Sequence, residues 1–357
     1  MLLLDRADFP RDKSCGDGIA PHVFSALAEV GVHGVDDGWA SIPTLELTRG
    51  DQVTRGTMQR PAHVIPRRVL DARLVERAVS AGAVLRRHRV RTCVPGPDAV
   101  VLDGTLRAQV VVGADGAHSV VRSALGRPRP SRKALAIRGY APTRPGAEGV
   151  QSIVFGDRRQ PSYAWAFDRG DGLSNVGYGE LVTDGADHPT RRLMLAELER
   201  LIPGSATSGT GWLAHPLPLS GRRLDVSDPR TLLVGDARNL INPLTGEGIY
   251  YAVVTGIAAG RAAARAVRVG DPSQAGPAFD RAVGGELRVH LRHTWAAAGL
   301  SRAPGVLDAG LRAAAADRRS FDALVELGLG SGRLTPRLAA GLSSGWASGW
   351  ARRLVGG

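Results

Sequence analysis

The sequence predicts an α/β fold, α+β overall, in which a Rossmann-like domain is interrupted by an antiparallel sheet and followed by helices. Strand patterns that lead into helices occur at 108–125 and again at 231–266. Between them, residues 150–182 alternate apolar with polar or small side chains at a period of two, which is typical of an antiparallel sheet with one covered face. From about Gly284 onwards the pattern is mostly helical.

Two short stretches rich in proline and glycine, at 126–133 and 141–149, mark the change from one pattern to the other. We therefore expect a discontinuous nucleotide-binding domain, an inserted sheet domain that binds substrate, and a helical C-terminal region. Their expected bounds are 1–35 plus 64–135 plus 220–283 for the first, 36–63 plus 136–219 for the second, and 284–357 for the third.

The chain opens with an apolar strand, Met1 to Asp5, that ends in a carboxylate. In a dinucleotide-binding fold this is how the second strand ends, with the acid on a ribose hydroxyl. The first strand and its Gly-rich turn, G-x-G-x-x-G, would occupy roughly the 30 residues upstream of such an acid. We therefore expect the natural protein to begin upstream, with Met1 as a wrongly placed start or a truncation.

The segment after residue 64 predicts a helix followed by strands. Its apolar residues recur at helical spacing from Val69 to Val79, and Gly82 is placed to end the helix as a C-terminal cap. Two strand-like runs follow, at 83–94 and 108–116. The second is apolar on both faces, as a parallel strand inside a doubly wound sheet should be.

Composition excludes several classes of function. The chain has 357 residues, 43% of them hydrophobic, and can bury a large core. Its formal charge is +12, but nearly all of the positive charge is arginine, and no basic tract is interleaved with aromatic residues, so we expect no nucleic-acid partner. The two cysteines, Cys15 and Cys93, form no metal-spaced pair, and the histidines show no metal or catalytic-triad pattern.

The sequence predicts neither a signal peptide nor a membrane span. The apolar run at Met1 to Leu4 is too short for a signal, and the longest apolar candidate, Gly248 to Ala266, contains Arg261 and Arg265. We read that candidate as a buried helix. The expected location is the cytoplasm, with the surface still free to contact a membrane peripherally.

The first motif with chemical content is "VVVGADGAHSVVRSALG". A strand delivers Gly113 to Gly116 into a tight turn, and we expect a helix to start near His118 or Ser119. Glycines in such a turn let the backbone approach a ligand closely. By itself "GADG" is also compatible with an ordinary turn between a strand and a helix.

The second motif is "LLVGDARNLINPLTGEGIYYA". Asp236 ends a buried strand, where a carboxylate is unfavourable unless it has a partner such as a ligand hydroxyl. The loop that follows delivers Gly246, Glu247, Gly248 and Ile249 to the start of a helix. Free N–H groups and the positive end of the helix dipole would there face an anionic or electron-rich group.

Together the two strings resemble those of FAD-dependent oxidoreductases in the superfamily of geranylgeranyl reductases, aromatic hydroxylases and flavin halogenases, without the N-terminal G-x-G-x-x-G segment. The resemblance runs from residue 1 to about 270 and implies FAD as cofactor. It places Asp236 on the ribityl chain, and the N–H groups of Gly248 and Ile249 at the pyrimidine end of the flavin ring. It also implies further cofactor-binding residues: Asp5 on the adenosine ribose, Cys15, Gly16 and Gly18 beside the flavin, Arg67 on the phosphate or ribityl side, Asp115 and Gly246.

Within the superfamily, "FPRDKSCGDGIAP" and "YAWAFDRGDGLSNVGYG" look most like the geranylgeranyl reductase branch. That resemblance implies that reduced FAD adds hydride to a carbon–carbon double bond of an apolar, prenyl-type substrate. It places Tyr163, Trp165 and Phe167 on the wall of the substrate tunnel, although these aromatics could equally fill a sheet core. The family usually has proline after the phenylalanine, where this chain has Asp168. Cys15, in the loop expected to cross the flavin, is the candidate catalytic residue, with no chemical role assigned.

Three alternatives stay open. One is a monooxygenase that hydroxylates an aromatic or polyketide substrate, and another is a flavin halogenase, for which Lys13 is the lysine expected near the flavin. The third is a non-catalytic remnant that no longer holds FAD. Without the Gly-rich turn we expect the chain as given to bind FAD weakly or not at all. No second nucleotide fingerprint is present, so NAD(P)H or a ferredoxin would dock transiently as electron donor.

Overall fold

The computed structural model describes residues 1–128, 130, 132–182, 188–303 and 305–340. Its strands are β1 (Leu2–Asp5), β2 (Gly18–Ile19), β3 (Ser41–Arg49), β4 (Gln52–Val64), β5 (Val84–Arg87), β6 (Cys93–Val94), β7 (Val100–Leu102), β8 (Leu106–Ala108), β9 (Val111–Gly113), β10 (Lys133–Pro142), β11 (Val150–Phe155), β12 (Tyr163–Asp168), β13 (Leu173–Val182), β14 (Thr210–Pro218) and β15 (Thr231–Leu233). Its α-helices are α1 (Pro21–Ala28), α2 (Arg67–Ser80), α3 (Val120–Ala124), α4 (Arg191–Leu201), α5 (Ile249–Arg268), α6 (Ala275–Leu300), α7 (Val306–Ala316) and α8 (Arg318–Leu329).

The part of the chain that the structure describes forms one eight-stranded sheet in the order β14-β10-β13-β12-β11-β3-β4-β2. Neighbouring strands are antiparallel except β3 and β11, which run parallel. One face is covered by helix α4, through Met194, Leu198 and Ile202. The predicted antiparallel sheet with one covered face is therefore present, and it includes strands β3 and β4 from the segment before residue 64.

The Rossmann-like part contains two separate pairs of parallel strands. Strand β1 pairs with β5, and β9 pairs with β15. Within the described ranges no backbone ladder joins one pair to the other. A small antiparallel sheet of β6, β7 and β8 lies beside the second pair, and its Val100 packs in the same core cluster as Val111 and Leu233.

Helices fill the remaining layers. Helix α5 packs on α6 and α1 around Tyr251, Phe279 and Leu287, which are at most 1% exposed. Helices α7 and α8 pack on β3 and β4. At that contact a Cβ on Gly56 would lie 2.7 Å from the Phe321 ring, so glycine is what allows helix and sheet to approach this closely.

The predicted fold class is confirmed: a mixed α/β structure with the fold of FAD-binding proteins and a helical C-terminal part. Helix α6 runs through the expected boundary at residues 283 and 284. Residues 341–357, the last part of the expected C-terminal region, lie outside the described residues. None of the helices in the described ranges combines the length and the apolar character needed to cross a bilayer.

Candidate active site

A cavity of about 740 Å³ lies between the face of the eight-stranded sheet opposite α4, the loop before β2, the start of helix α5, and helices α7 and α8. This volume is in the range of small-molecule and cofactor sites. Most of the site residues predicted from the sequence line it: Cys15, Gly16, Gly18, Arg67, Tyr163, Trp165, Phe167, Asp236, Gly246, Gly248 and Ile249. The structure thus brings together residues that lie more than 200 positions apart in the sequence.

Asp5 and Asp115 are the predicted site residues that do not line this cavity. Asp5 ends β1 as expected, and its Oδ1 accepts the Ala7 N–H at 2.9 Å. The Asp115 carboxylate holds the start of helix α3, since it accepts the Ser119 hydroxyl at 2.5 Å and the Val120 N–H at 2.7 Å. Their assignment to a cofactor stays a prediction.

The loop before helix α5 brings backbone close to the Asp236 carboxylate. Gly246 adopts a left-handed backbone with φ +74°, which favours glycine. A Cβ on Gly248 would lie 3.6 Å from Asp236 Oδ1 and 3.3 Å from Ile241 Cγ1. Within the described residues the Asp236 carboxylate has no hydrogen-bond partner, so it is available to a ligand hydroxyl.

Glu247, which sequence reasoning did not single out, caps the first turn of α5 with its own side chain. Its Oε1 accepts the Tyr250 N–H at 2.8 Å. Burial raises the pKa of Glu247 to about 7, and backbone N–H groups at the start of α5 act in the opposite direction.

The loop that carries Cys15 is fixed to the sheet by Asn175 of β13. The Asn175 amide donates to the Cys15 carbonyl and to Asp17 Oδ2, both at 2.9 Å, and its Oδ1 accepts Trp165 Nε1–H at 2.8 Å. Tyr140 donates its hydroxyl to the same Asp17 oxygen at 2.5 Å. Burial raises the pKa of Asp17, and these two hydrogen bonds oppose the rise.

The three predicted substrate aromatics lie side by side on strand β12. Their neighbouring ring centroids are 6.0 and 6.4 Å apart, with Trp165 in the middle. Tyr163 donates its hydroxyl to the Thr245 carbonyl, next to the start of α5. A Cβ on Gly16 would be 3.6 Å from both Trp165 and Phe167, so the glycine lets the Cys15 loop lie close to these two rings.

The end of the cavity beside Cys15 carries basic side chains, namely Lys13, Arg67 and His215. Arg67 forms a two-point ion pair with Asp71, at 2.7 and 3.0 Å, and its guanidinium also reaches Cys15. Burial raises the pKa of the Cys15 thiol above its usual range, while the charge of Arg67 acts in the opposite direction. Burial also lowers the pKa of Lys13 and of His215, which line the cavity nearby.

The opposite end of the cavity is apolar. Strands β3 and β11 contribute Leu45, Leu47, Ile153 and Phe155 to its wall. The facing wall comes from α7, α8 and the segment that follows, through Val306, Leu307, Leu311, Leu324, Val325, Leu334 and Leu338. A hydrocarbon chain would find apolar partners along these residues.

The residues present fit a flavin dinucleotide at the polar end. The Asp236 carboxylate is a hydrogen-bond acceptor without a partner in the described part of the chain. Gly248 has no side chain, so its backbone is open to the cavity. Asp236, Arg67 and the start of α5 would hold the cofactor, which when bound supplies two-electron chemistry by hydride transfer. No group of histidine, cysteine or acidic residues in the described ranges has the arrangement of a metal site.

Four further residues of this site were not predicted: Asp17, Asn175, His215 and Glu247. Asp17 lies between the two predicted glycines of "CGDG", and Glu247 between those of "TGEG", so their positions in those motifs were a usable signal. Asn175 and His215 come from strands β13 and β14, where nothing in the local pattern marks them.

Comparison with known proteins agrees with this geometry. The sequence profile of the FAD binding domain family matches residues 4–205. A menaquinone reductase of Mycolicibacterium smegmatis is 32% identical over 281 residues, which is 72% of this chain and 68% of that protein. Digeranylgeranylglycerophospholipid reductase 1 of Methanopyrus kandleri is 32% identical over 311 residues, 76% of each chain.

Among solved structures, a geranylgeranyl bacteriochlorophyll reductase-like protein from Thermoplasma acidophilum has the same fold. The TM-score is 0.74 at 18% sequence identity, covering 98% of this chain and 91% of the other. The fold, the sequence profile and the identity to these relatives agree. The chain belongs to the FAD binding domain family and is an FAD-dependent oxidoreductase.

Proposed function

We propose that this protein uses reduced FAD to saturate a carbon–carbon double bond in an apolar, prenyl-type substrate. The observation that carries the proposal is a single cavity with a polar end beside Asp236 and an apolar end between the sheet and helices α7 and α8. The two curated relatives are named as reductases of a menaquinone and of a digeranylgeranylglycerophospholipid, which supports the same type of substrate.

In this proposal Asp236 accepts a hydroxyl of the ribityl chain, Arg67 lies on the phosphate or ribityl side, and the start of α5 faces the pyrimidine end of the flavin. Asp5 binds the adenosine ribose. The substrate chain lies against Tyr163, Trp165 and Phe167 of β12 and extends toward the apolar wall. Cys15 borders the reacting centre without a chemical role assigned to it.

We further propose that the electrons arrive from NAD(P)H or a ferredoxin that docks transiently, because no second nucleotide fingerprint appears in the sequence. We also propose peripheral contact with a membrane, since a long prenyl substrate partitions into lipid and has to enter the cavity from there.

The test is anaerobic turnover by the FAD-loaded protein. The protein is reduced chemically and mixed with a menaquinone or with a geranylgeranyl lipid, and the products are analysed by mass spectrometry. We expect the substrate to gain the mass of two hydrogen atoms for each double bond reduced. Incorporation of oxygen or halide in air, with no saturated product, would instead support the monooxygenase or halogenase alternative.

A variant at the apolar end sharpens this test. Ile153 lies on β11, lines the cavity, and is not among the residues assigned to FAD. Ile153→Trp should retain bound FAD but lose activity toward a long prenyl chain much more than toward a one-isoprene analogue. If both substrates lose activity equally, the apolar end is not where the chain lies.

A further inference from the structure

Glu247 is a carboxylic acid enclosed in the cavity wall. It lies between Gly246 and Gly248, in the loop that starts helix α5, and its side chain borders the cavity. Its Oε1 is held by the Tyr250 N–H at 2.8 Å. The carboxyl is therefore held at a fixed place on the wall of the cavity.

The titratable groups around Glu247 come from four different elements. Arg67 of α2 and Asp236, after β15, act on it with opposite charges. Tyr163 of β12 and Tyr251 of α5 lie close enough to interact with its charge. Burial raises the pKa of both phenols, and the negative charge of Glu247 raises it further. Glu247 thus stands where the residues assigned to the cofactor meet the first of those assigned to the substrate.

We propose that Glu247 holds the proton that is consumed when a double bond in this cavity is reduced. The inference rests on the proposed function, since saturation of an alkene requires a proton in addition to a hydride. One carbon of the double bond accepts the hydride from the reduced cofactor, the other accepts the proton of Glu247, and the π bond is lost. The substrate is reduced, the flavin is reoxidised, and the Glu247 carboxylate recovers a proton from water.

Two features of the geometry favour this role. The N–H groups at the start of α5 stabilise the carboxylate left after proton release, as the positive end of a helix dipole does for an anion. Electrons on a nearby flavin add negative charge, which draws a proton onto Glu247 before the substrate is reduced. Burial already brings the pKa of this carboxyl to about 7, so both protonation states are accessible near neutral pH.

The first experiment counts protons. The midpoint potential of bound FAD is measured between about pH 6 and pH 8 in wild type, Glu247→Gln and Glu286→Gln. Glu286 is the matched control, because it is an exposed acid that contacts Tyr250 through the phenol at 3.2 Å, outside the cavity wall. We expect wild type and Glu286→Gln to take up more protons per two electrons than Glu247→Gln, by up to one, with the largest difference above about pH 7. Equal slopes in all three proteins would overturn the proposal.

The second experiment measures a single turnover. Glu247→Gln should slow reduction of the prenyl substrate by about a hundredfold or more, while chemical reduction of its FAD keeps the wild-type rate. Glu247→Asp, which keeps a carboxyl, should restore the extra proton and part of the rate. A Glu247→Gln protein that reduces substrate at the wild-type rate contradicts the proposal.

These two experiments separate the failure of one proposal from the failure of the other. If wild type reduces no prenyl substrate but shows the extra proton, the proposed function is wrong and Glu247 remains the group that binds a proton on flavin reduction. If wild type is active and shows no extra proton, the proposed function holds and the assignment of Glu247 is wrong.

Discussion

Gly248 shows how the lack of one side chain can determine what the start of a helix binds. Its φ of −134° is open to any residue, so Gly248→Ala should fold. The added methyl would stand 3.6 Å from Asp236 Oδ1, in the space assigned to the cofactor. We expect the affinity for FAD to fall about tenfold or more, a cost of at least ~1.4 kcal/mol.

The measurement is quenching of flavin fluorescence on binding, and the control is Gly260→Ala. Gly260 lies in the same helix, and a Cβ there meets nothing within 4 Å. Because alanine has the higher helix propensity, this control should keep the affinity and gain a little stability. Equal affinities in wild type and Gly248→Ala would show that the cofactor does not approach the helix start.

The raised pKa of Glu247 also leads to a prediction about the stability of the protein. Its pKa in the folded state is about 7, above the usual value near 4.3 expected for the unfolded chain. Between these two values the folded state holds more protons, so the free energy of unfolding falls as the pH rises through this window. Glu247→Gln removes this dependence and should gain on the order of 1–2 kcal/mol over wild type between about pH 5 and pH 8.

This expectation is checked by denaturant unfolding of the FAD-free wild type and Glu247→Gln at about pH 5 and about pH 8. Glu286→Gln, at an exposed position on the neighbouring helix, should follow the wild-type curve. Parallel pH curves for wild type and Glu247→Gln would mean that water reaches the carboxyl freely in the folded state.

At the scale of elements, the side chains of Ser119 and Asp115 cap the start of helix α3. Ser119 is 1% exposed, and its Oγ accepts the Arg122 N–H at 2.9 Å while donating to Asp115. Replacing such an N-cap serine by alanine costs about 1 kcal/mol of stability. We therefore expect Ser119→Ala to lower the free energy of unfolding by about that amount.

Ser123 provides the control, since its side chain is exposed and its hydroxyl donates to a carbonyl of the same helix. Ser123→Ala should change the free energy of unfolding by less than about 0.5 kcal/mol. Urea denaturation followed by circular dichroism distinguishes the two variants. An equally small effect for Ser119→Ala would show that the cap contributes nothing.

Local sequence patterns predicted some of the regular elements correctly and others only in part. Apolar residues at helical spacing and Gly82 predicted helix α2, which the structure has at Arg67–Ser80. The strand-like run at 83–94 is instead two strands, because Asp103 bonds the segment between them. Its Oδ1 accepts the Arg91 and Thr92 N–H groups, both at 2.8 Å, and these contacts come from a residue ten or more positions away. Alternation along one segment could not reveal such a partner.

The cavity itself was only partly predictable. Residues inside recognisable motifs, such as Asp236 and Gly248, were identified from their neighbours in the sequence. Lys13 was considered only as a residue near the flavin, and Asn175 and His215 were not identified. Asn175 and His215 come from strands β13 and β14, which lie on either side of β10, a pairing that no local pattern encodes. The apolar wall on helices α7 and α8 was missed for the same reason.

At the scale of the whole molecule, Gly56 sets the distance between the sheet and the C-terminal helices. An added Cβ would lie 2.7 Å from the Phe321 ring, so Gly56→Ala has to displace helix α8 or strand β4. Overpacking of this kind costs about 1–3 kcal/mol. We expect that loss of stability in thermal unfolding, together with weaker binding of prenyl substrates, because Leu324 and Val325 of α8 line the cavity.

FAD affinity should change little in Gly56→Ala, since the displaced contact lies at the apolar end. Gly285→Ala is the control: this position is on an exposed face of α6 and a Cβ there meets nothing within 4 Å. Unchanged stability in Gly56→Ala would mean that helix and sheet adjust without cost, and that their spacing does not define the cavity.

The distribution of the cavity wall along the chain also has a consequence for biosynthesis. Among the described residues the lining runs from Lys13 to Leu338, and helices α7 and α8 of the apolar side follow the cofactor residues in the sequence. A nascent chain on the ribosome cannot enclose an apolar substrate until those helices have emerged. The first residues assigned to cofactor binding are synthesised much earlier. Until then Leu45, Leu47 and Ile153 face solvent without a cover.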